Sequence, residues 1–141
     1  MKASDIMTTE IVTCSPKTTI KEVAKKLREL SIGSLPIVED NKLKGIVTDR
    51  DIVVRGVAGE VSMDSPVHQV MSSDVKTGTK DLSIEEVADL MAVHQIRRLP
   101  IVEKDRMVGI ISLGNVAVDE TDLFGSDIAL GEISRYPDSK V

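Results

Sequence analysis

The chain contains the same segment twice, and this repeat constrains the fold more than any other feature. Residues 7–54 recur as residues 71–118 at a constant offset of 64 and without a gap. A duplication of this length predicts two copies of one supersecondary unit that bury their apolar faces together. We therefore expect the function to depend on both copies. Residues that match at the offset include Met7/Met71, Thr13/Thr77, Glu22/Glu86, Ala24/Ala88, Gly45/Gly109 and Ile46/Ile110.

Size and composition predict one compact domain with an aliphatic interior. The chain has 141 residues, and each half of roughly 60 residues is small enough to be marginal alone, so the halves are expected to share one core. Aromatic residues make up only 1% of the chain. The interior must therefore be built from Val, Ile, Leu, Met and Ala, and the base of a ligand would meet aliphatic walls rather than aromatic rings.

Charge and the lack of long apolar runs exclude several functional classes. The net charge of -5 argues against a nucleic-acid partner, because a phosphate backbone is held mainly by clustered Lys and Arg. No stretch approaches the roughly 18 apolar residues that span a bilayer, and no signal-like run opens the chain. We expect a cytoplasmic protein with no membrane partner.

The first part of each copy predicts an extended run followed by an amphipathic helix. The extended runs are residues 10–14 and 74–78. Thr19 and Glu22 have the spacing of a capping box, which is repeated 64 residues later. Apolar residues then recur with the period of a helix buried on one side. They are Ile20, Val23, Ala24, Leu27 and Leu30 in the first copy and Ile84, Val87, Ala88 and Met91 in the second.

The second part of each copy predicts a β-hairpin and a shorter helix. In the first copy, strands at residues 35–38 and 43–47 flank a polar turn at residues 40–42. Thr48, and Ser112 in the second copy, then begins a helix. The order β-α-β-β-α in each copy indicates an α/β fold of the α+β type. Two such repeats are expected to pack about a pseudo-twofold axis with two equivalent clefts.

The repeat also suggests domain boundaries. We expect the first repeat at residues 1–61, a turn-rich linker at 62–66 and the second repeat at 67–119. Residues 120–141 form an acidic tail, for which a solvated terminus and a partner-binding arm are the alternatives. Its acidic residues lack the compact spacing of a metal site.

At this point the motifs resemble a known family. An apolar strand with a Pro, followed by Gly-Ile-Val-Thr-Asp-Arg-Asp at residues 45–51, resembles a CBS domain. Two copies in tandem, covering about residues 3–119, resemble a Bateman module. The resemblance implies a stand-alone regulatory module that binds AMP, ADP or ATP, or in some members S-adenosylmethionine or NAD, and that forms a homodimer.

Thr48 and Asp51 have both a structural and a functional interpretation. A Thr at an N-cap with an acid three residues later is a capping arrangement that begins a helix. A carboxylate at the edge of a cleft can also accept hydrogen bonds from both ribose hydroxyls, while helix amides face a phosphate. The resemblance implies that Asp51 contacts ribose and that Thr48 lies near phosphate. The two interpretations are compatible.

The second copy departs from this pattern. Ser112 and Asn115 stand at the equivalent positions, and the amide of Asn115 matches a diol less well than a carboxylate. Gly114 replaces Arg50, which lowers the local positive charge. Whether the second cleft is occupied therefore stays open.

Arg97 and Arg98 precede the second hairpin, where the first copy has Gly33 and Ser34. Paired guanidinium groups suit a phosphate, because they form forked, charge-assisted hydrogen bonds. The resemblance implies that these positions point toward ligand phosphates and that the small Gly33 leaves room for them. The alternative is a solvated pair that bridges to carboxylates.

The resemblance also implies contacts to adenine. In the cleft that contains Asp51, adenine is expected to contact the backbone of Thr77 and Gly78. In the cleft that contains Asn115, it is expected to contact Thr13 and Cys14. Apolar contact with the base is assigned to Ile46 and Ile110. Without the resemblance, these positions are typical strand residues.

Cys14 is the only cysteine, so an internal disulfide and a thiolate zinc site are excluded. It is expected to be a small buried packing residue, with a redox role as the alternative. His68 and His94 show no metal-ligand spacing, and we expect no metal. No nucleophile, acid–base pair or required cofactor is evident, which argues against an enzyme.

The sequence therefore favours a regulatory module that senses an adenine nucleotide and signals to an effector protein. The sequence does not identify this effector. The alternative is a ligand-free protein-interaction or oligomerisation module.

Overall fold

The computed structural model describes residues 1–119, in which helices alternate with antiparallel hairpins. The predicted α+β class is confirmed. The acidic tail at residues 120–141 lies outside the described residues. In chain order the elements are α1 (Ala3–Ile6), α2 (Ile20–Leu30), β1 (Ser34–Glu39), β2 (Lys42–Thr48), α3 (Asp49–Asp51), a π-helical turn (Ile52–Val57), a 3₁₀ turn (Val67–Gln69), α4 (Ile84–His94), β3 (Arg98–Glu103), β4 (Arg106–Ser112) and α5 (Leu113–Asp119).

The chain divides into two units. Residues 12–75 form the first-repeat unit, whereas residues 1–11 join residues 76–119 in the second-repeat unit. This division follows contacts in space, and it differs from the boundaries expected from the repeat. Those boundaries, at residues 61, 66 and 119, stay a prediction.

The hairpin of the first-repeat unit is closed by a two-residue turn. β1 and β2 pair antiparallel, and the turn residues Asp40 and Asn41 have φ angles of 55° and 65°. Both angles are positive, as a type I′ turn requires, and Asp and Asn tolerate this region better than most residues. The hairpin is predicted correctly, except that Lys42 begins β2 instead of ending the turn.

The second-repeat unit repeats this hairpin. β3 and β4 pair antiparallel around Lys104 and Asp105, whose φ angles are 53° and 68°. Both hairpins also change register at the same place, between Ile37 and Val38 in β1 and 64 residues later in β3. The duplication therefore preserves the turn and the irregularity in the ladder.

The long helices begin at the predicted caps. The Thr19 hydroxyl accepts a hydrogen bond from the Glu22 backbone N–H at 3.2 Å at the start of α2. At the start of α4 the capping box is reciprocal. Leu30 is 44% exposed, so its predicted place on the buried face is wrong, because it ends α2 beyond the last buried turn. Among the described residues, no helix has the length and apolarity needed to cross a bilayer.

The first predicted strand of each copy is shorter than expected. Of residues 10–14, only Cys14 forms a β-bridge to β1: it donates its N–H to the Pro36 carbonyl at 3.2 Å and accepts from the Val38 N–H at 2.8 Å. Gly78 makes the same bridge to β3. In the first copy the chain turns away at once, because the Thr18 N–H donates to the Ser15 carbonyl at 3.1 Å.

Residues 1–11 complete the second-repeat unit. The Ala3 N–H donates to the Leu82 carbonyl at 2.7 Å, and Thr8 exchanges two hydrogen bonds with Ile110. The equivalent residues 65–75 belong to the first-repeat unit, where Ser72 exchanges two hydrogen bonds with Ile46. Residues 1–11, which precede the first helix and hairpin, therefore belong to the second-repeat unit. Residues 65–75, which precede the second helix and hairpin, belong to the first-repeat unit.

Each unit has an aliphatic core of its own, whereas the sequence predicts one shared core. The aliphatic composition is as expected from the low aromatic content. The first-repeat core contains Cys14, Ile20, Val23, Leu27, Leu35, Ile37, Val47, Ile52, Val67 and Val70. The second-repeat core contains Ala3, Ile84, Val87, Ala88, Met91, Leu99, Ile101, Ile111 and Val116.

Candidate functional site

Thr48 and Asp51 form a reciprocal cap where β2 meets α3. The Asp51 N–H donates to the Thr48 hydroxyl at 3.0 Å, and the Thr48 N–H donates to Asp51 Oδ2 at 3.0 Å. The side chain of Asp51 is 17% exposed. Its second oxygen, Oδ1, lies 3.9 Å from Nε of Arg55. The carboxylate is thus held by its own helix start, and Oδ1 has no donor at hydrogen-bond distance among the contacts described.

The cap of the second copy has the same shape and different chemistry. Asn115 Oδ1 accepts from the Ser112 N–H at 3.0 Å and from the Ser112 hydroxyl at 2.8 Å. The side-chain amide oxygen of Asn115 therefore accepts two hydrogen bonds, both from Ser112. The rest of the side chain is an NH₂ donor, so this position offers a donor where Asp51 offers an acceptor.

Gly33 and Arg97 occupy equivalent backbone positions next to these caps. The Gly33 carbonyl accepts from the Asp49 N–H at 2.9 Å, and the Arg97 carbonyl accepts from the Leu113 N–H at 2.8 Å. The residue before each hairpin is thereby tied to the first residue of the helix that follows it. Gly33 therefore lies next to the cap of Thr48 and Asp51 in the first-repeat unit, and the room that it is expected to leave for ligand phosphates stays a prediction.

Arg97 and Arg98 lie beside Ser112 and Asn115 in the second-repeat unit. Arg98 begins β3 and is the register partner of Ser112. Both arginines are half-buried. Arg97 Nε is buried and has no hydrogen-bond partner among the described residues. A buried N–H of this kind costs free energy unless an acceptor pairs with it. The sequence gives no sign of this unpaired donor, because it depends on what surrounds the guanidinium.

The four positions assigned to adenine lie beside β1 and β3. Gly78 uses both backbone groups in its bridge: its N–H donates to the Pro100 carbonyl at 2.9 Å and its carbonyl accepts from the Val102 N–H at 2.9 Å. A Cβ on Gly78 would lie 2.9 Å from Leu82 Cδ1, so Gly78 has a packing role. Thr77 is exposed, and Thr13 is half-buried beside the buried Cys14.

Ile46 and Ile110 are at matching positions in β2 and β4. Their backbones pair on both sides, with Pro36 and Ser72 for Ile46, and with Pro100 and Thr8 for Ile110. Ile46 is half-buried and Ile110 is 6% exposed. Both residues are therefore paired within the sheet ladder. Their contact with a base stays a prediction.

The predicted site residues therefore form two groups. Thr13, Cys14, Gly33, Ile46, Thr48 and Asp51 belong to the first-repeat unit, and Thr77, Gly78, Arg97, Arg98, Ile110, Ser112 and Asn115 belong to the second-repeat unit. The predicted cleft of Asp51 combines residues of both groups, and this combination stays a prediction. Among residues 1–119, no cluster of three or more His, Cys, Asp or Glu is placed to share a metal ion.

Cys14 is 6% exposed, which confirms that it is a buried packing residue. Burial raises the pKa of its thiol; Lys26 opposes this shift and Glu22 adds to it. We expect native protein at pH 8 to react with iodoacetamide at least about tenfold more slowly than unfolded protein, because the thiolate is the nucleophile. The reaction is followed by mass spectrometry. Equal rates would contradict the burial of Cys14.

The same pKa shift predicts how stability depends on pH. The folded state favours the neutral thiol, so this contribution to the free energy of unfolding is complete below the thiol pKa of the unfolded chain. It is lost as the pH rises through the higher pKa of the folded state. Denaturant titrations of wild type and Cys14→Ala across the alkaline range measure it, and parallel curves for the two proteins would contradict it.

The fold and the two capped hairpins define an α+β protein with a tandem repeat. A family model described as "CBS domain" matches residues 3–57 and 67–118, and the chain belongs to the CBS domain family. The resemblance seen in the sequence is thereby confirmed, with one domain in each repeat.

Three similar proteins illustrate the relationship. The CBS domain-containing protein YhcV of Bacillus subtilis is 43% identical over 131 residues, which cover 93% of this chain and 94% of that protein. Hypoxic Response Protein I, solved with two coordinated zinc ions, is 32% identical with a TM-score of 0.76 and coverage of 84% and 98%. The CBS domain pair of protein MJ0100, solved with 5′-methylthioadenosine and S-adenosyl-L-methionine, is 29% identical with a TM-score of 0.72 and coverage of 84% and 94%.

Proposed function

We propose that this protein is a regulatory module that binds an adenosine-containing ligand and signals its occupancy to an effector protein. AMP, ADP and ATP are the proposed ligands, ahead of S-adenosylmethionine and NAD. The observation that carries the proposal is the Asp51 carboxylate. It is held at the start of α3 by Thr48, is only 17% exposed, and keeps Oδ1 beyond hydrogen-bond distance of Arg55. Such a carboxylate is suited to accept hydrogen bonds from ribose hydroxyls.

Two further observations support an adenosine ligand. Arg97 Nε is a buried donor without a partner in the described part of the chain, and a ligand phosphate or carboxylate would supply the acceptor. The CBS pair of MJ0100, which is 29% identical, was solved with two adenosine compounds. We extend the proposal to the other sequence-predicted contacts: Thr13, Cys14, Gly33, Ile46, Thr48, Thr77, Gly78, Arg98, Ile110, Ser112 and Asn115.

The proposed role is regulatory and not enzymatic. Binding that favours one conformation shifts its population, and a partner can read this shift. We propose that the protein acts as a homodimer in the cytoplasm.

A second candidate is a protein-interaction or oligomerisation module without a ligand. It is favoured by the π-helical turn, where Val53, Val54 and Val57 are 59%, 49% and 62% exposed. Neighbouring apolar side chains that are this exposed are typical of protein-contact surfaces. In this case, the caps at Thr48 and Ser112 are structural only.

Thermal unfolding with added ligands separates the two candidates. The protein is heated with AMP, ADP, ATP, S-adenosylmethionine or NAD, and GTP serves as a control for nucleotides in general. A ligand at about 100 times its dissociation constant adds roughly 2.7 kcal/mol to the free energy of unfolding, which is a shift of several degrees for a domain of this size. A shift with an adenosine compound and none with GTP supports the sensor. No shift with any compound favours the interaction module.

A further inference from the structure

Arg55 lies between Asp51, one helical turn earlier, and the backbone of residues 70–71, which are 15 and 16 residues later in the chain. Its Nε lies 3.9 Å from Asp51 Oδ1. Its Nη1 donates to the Met71 carbonyl at 3.2 Å and lies 3.5 Å from the Val70 carbonyl, which it also contacts as a donor. We call this set of contacts the Arg55 bridge. It joins Asp51, the residue proposed to bind the ribose of the ligand, to the backbone of residues 70–71.

The two carbonyls lie in a segment that is anchored at both ends. Val70 is fully buried in the first-repeat core. Ser72 pairs with Ile46 of β2 through two hydrogen bonds, of 2.8 and 2.9 Å. Residues 70–72 therefore run from the core to the strand that ends at Thr48. Breaking the Arg55 bridge is therefore expected to weaken the hydrogen bonds between Ser72 and β2.

The second copy lacks the carboxylate–guanidinium pair of this bridge. At the offset of 64, Asn115 replaces Asp51 and Asp119 replaces Arg55. The pair of a carboxylate with a guanidinium one helical turn later thus occurs in one copy only, although the caps before it have the same geometry in both. Capping alone therefore does not require Arg55.

We propose that Arg55 is a positioning residue for Asp51, and that it couples occupancy of the Asp51 carboxylate to the backbone of residues 70–72; the ligand part rests on the proposed function. A ribose hydroxyl that donates to Oδ1 orders the carboxylate. The ordered carboxylate holds the guanidinium over the carbonyls of residues 70 and 71. By thermodynamic reciprocity, loss of the bridge weakens ligand binding by the same factor by which the ligand stabilises the bridge.

Binding of 5′-methylthioadenosine tests the positioning role. This probe has no phosphate, so loss of an attractive charge near a phosphate cannot explain a change in its affinity. We expect Arg55→Ala to weaken binding about 5-fold, the lower end of typical coupling factors. Arg55→Lys keeps the positive charge but lacks the planar guanidinium with its several N–H donors. We expect its affinity to lie between that of Arg55→Ala and that of wild type. Arg28→Ala, at an exposed position in α2, is the matched control and is expected to bind as wild type. Unchanged affinity in Arg55→Ala would overturn the proposal.

Amide hydrogen exchange at Ser72 tests the coupling without any ligand. Asp51→Asn removes the charge and keeps an acceptor for the cap, as Asn115 shows. We expect this substitution to speed exchange at Ser72 about 3-fold, the size expected for a partly exposed ion pair, and to have no such effect when Arg55 is already Ala. Equal acceleration in both backgrounds would overturn the coupling. If no adenosine compound binds, the proposed function fails, and this exchange experiment still decides whether Arg55 links Asp51 to residues 70–72.

Discussion

Asp51→Asn is expected to weaken binding of the adenosine ligand by roughly 30-fold, or about 2 kcal/mol, the usual scale for hydrogen bonds to a charged group. The amide loses the negative charge and turns one acceptor into a donor, so it cannot accept from both ribose hydroxyls. The fold is expected to remain intact. Asn115 makes the equivalent cap, with Oδ1 accepting from the Ser112 N–H at 3.0 Å. Titration calorimetry measures the affinity, and denaturant unfolding measures the stability.

The second copy provides the matched control for this prediction. Asn115→Asp installs a carboxylate on a cap of the same geometry, and we expect it to strengthen any binding there by roughly tenfold. In the exchanged double variant, with Asp51→Asn and Asn115→Asp together, ligand binding is expected to return. Wild-type affinity in Asp51→Asn would show that Asp51 does not contact the ligand, and the cap at Thr48 would then be only structural.

Gly45→Ala is expected to lower the free energy of unfolding by about 3 kcal/mol, the upper part of the range for overpacking a close contact. A Cβ at Gly45 would lie 2.7 Å from the backbone oxygen of Ser72 and 2.8 Å from Met71 Sδ. The Ser72 carbonyl cannot move away freely, because it accepts a hydrogen bond from the Ile46 N–H at 2.9 Å. The substitution therefore pushes against the pairing between β2 and the segment at residues 70–72. Urea denaturation with a two-state fit measures the loss.

Gly109→Ala is the matched control at the same position of the second copy. There the three closest atoms all belong to the side chain of Met7, of which the sulfur is nearest. An unbranched thioether can take another rotamer, whereas a paired carbonyl cannot. We expect a cost of about 1 kcal/mol, the lower part of the same range. A loss at Gly109 as large as that at Gly45 would contradict the explanation based on backbone contact.

Much of the local structure follows from short-range sequence patterns. The two positive-φ residues at Asp40 and Asn41 are recognisable because both types tolerate that region. The cap at Thr48 is recognisable because the acid stands three residues later. Each feature depends on neighbours within a few positions. The error at Leu30, which is 44% exposed, shows the limit: the helical period gives a face but not where the neighbouring core ends.

The candidate site was predictable only in part. The cap of Thr48 and Asp51 follows from their spacing, whereas the hydrogen bond that ties Gly33 to the start of α3 was not predicted. The Arg55 bridge was not predictable, because Arg55 and the Met71 carbonyl are 16 residues apart and no pattern connects them. The unpaired Nε of Arg97 was equally invisible, since burial of a single atom depends on the side chains around it.

The sequence by itself determined the duplication, the helix caps and the two hairpins, because these features depend on periodicity and on hydrogen bonds between near neighbours. Its motifs also resembled two CBS domains in tandem. Only the tertiary structure decided that residues 1–11 complete the second-repeat unit and that Ser72 pairs with Ile46 in the first. The physical reason is that backbone groups far apart in the chain find their partners through packing. For the same reason, Gly45 and Gly109 are identical in sequence and differ in what a side chain would meet.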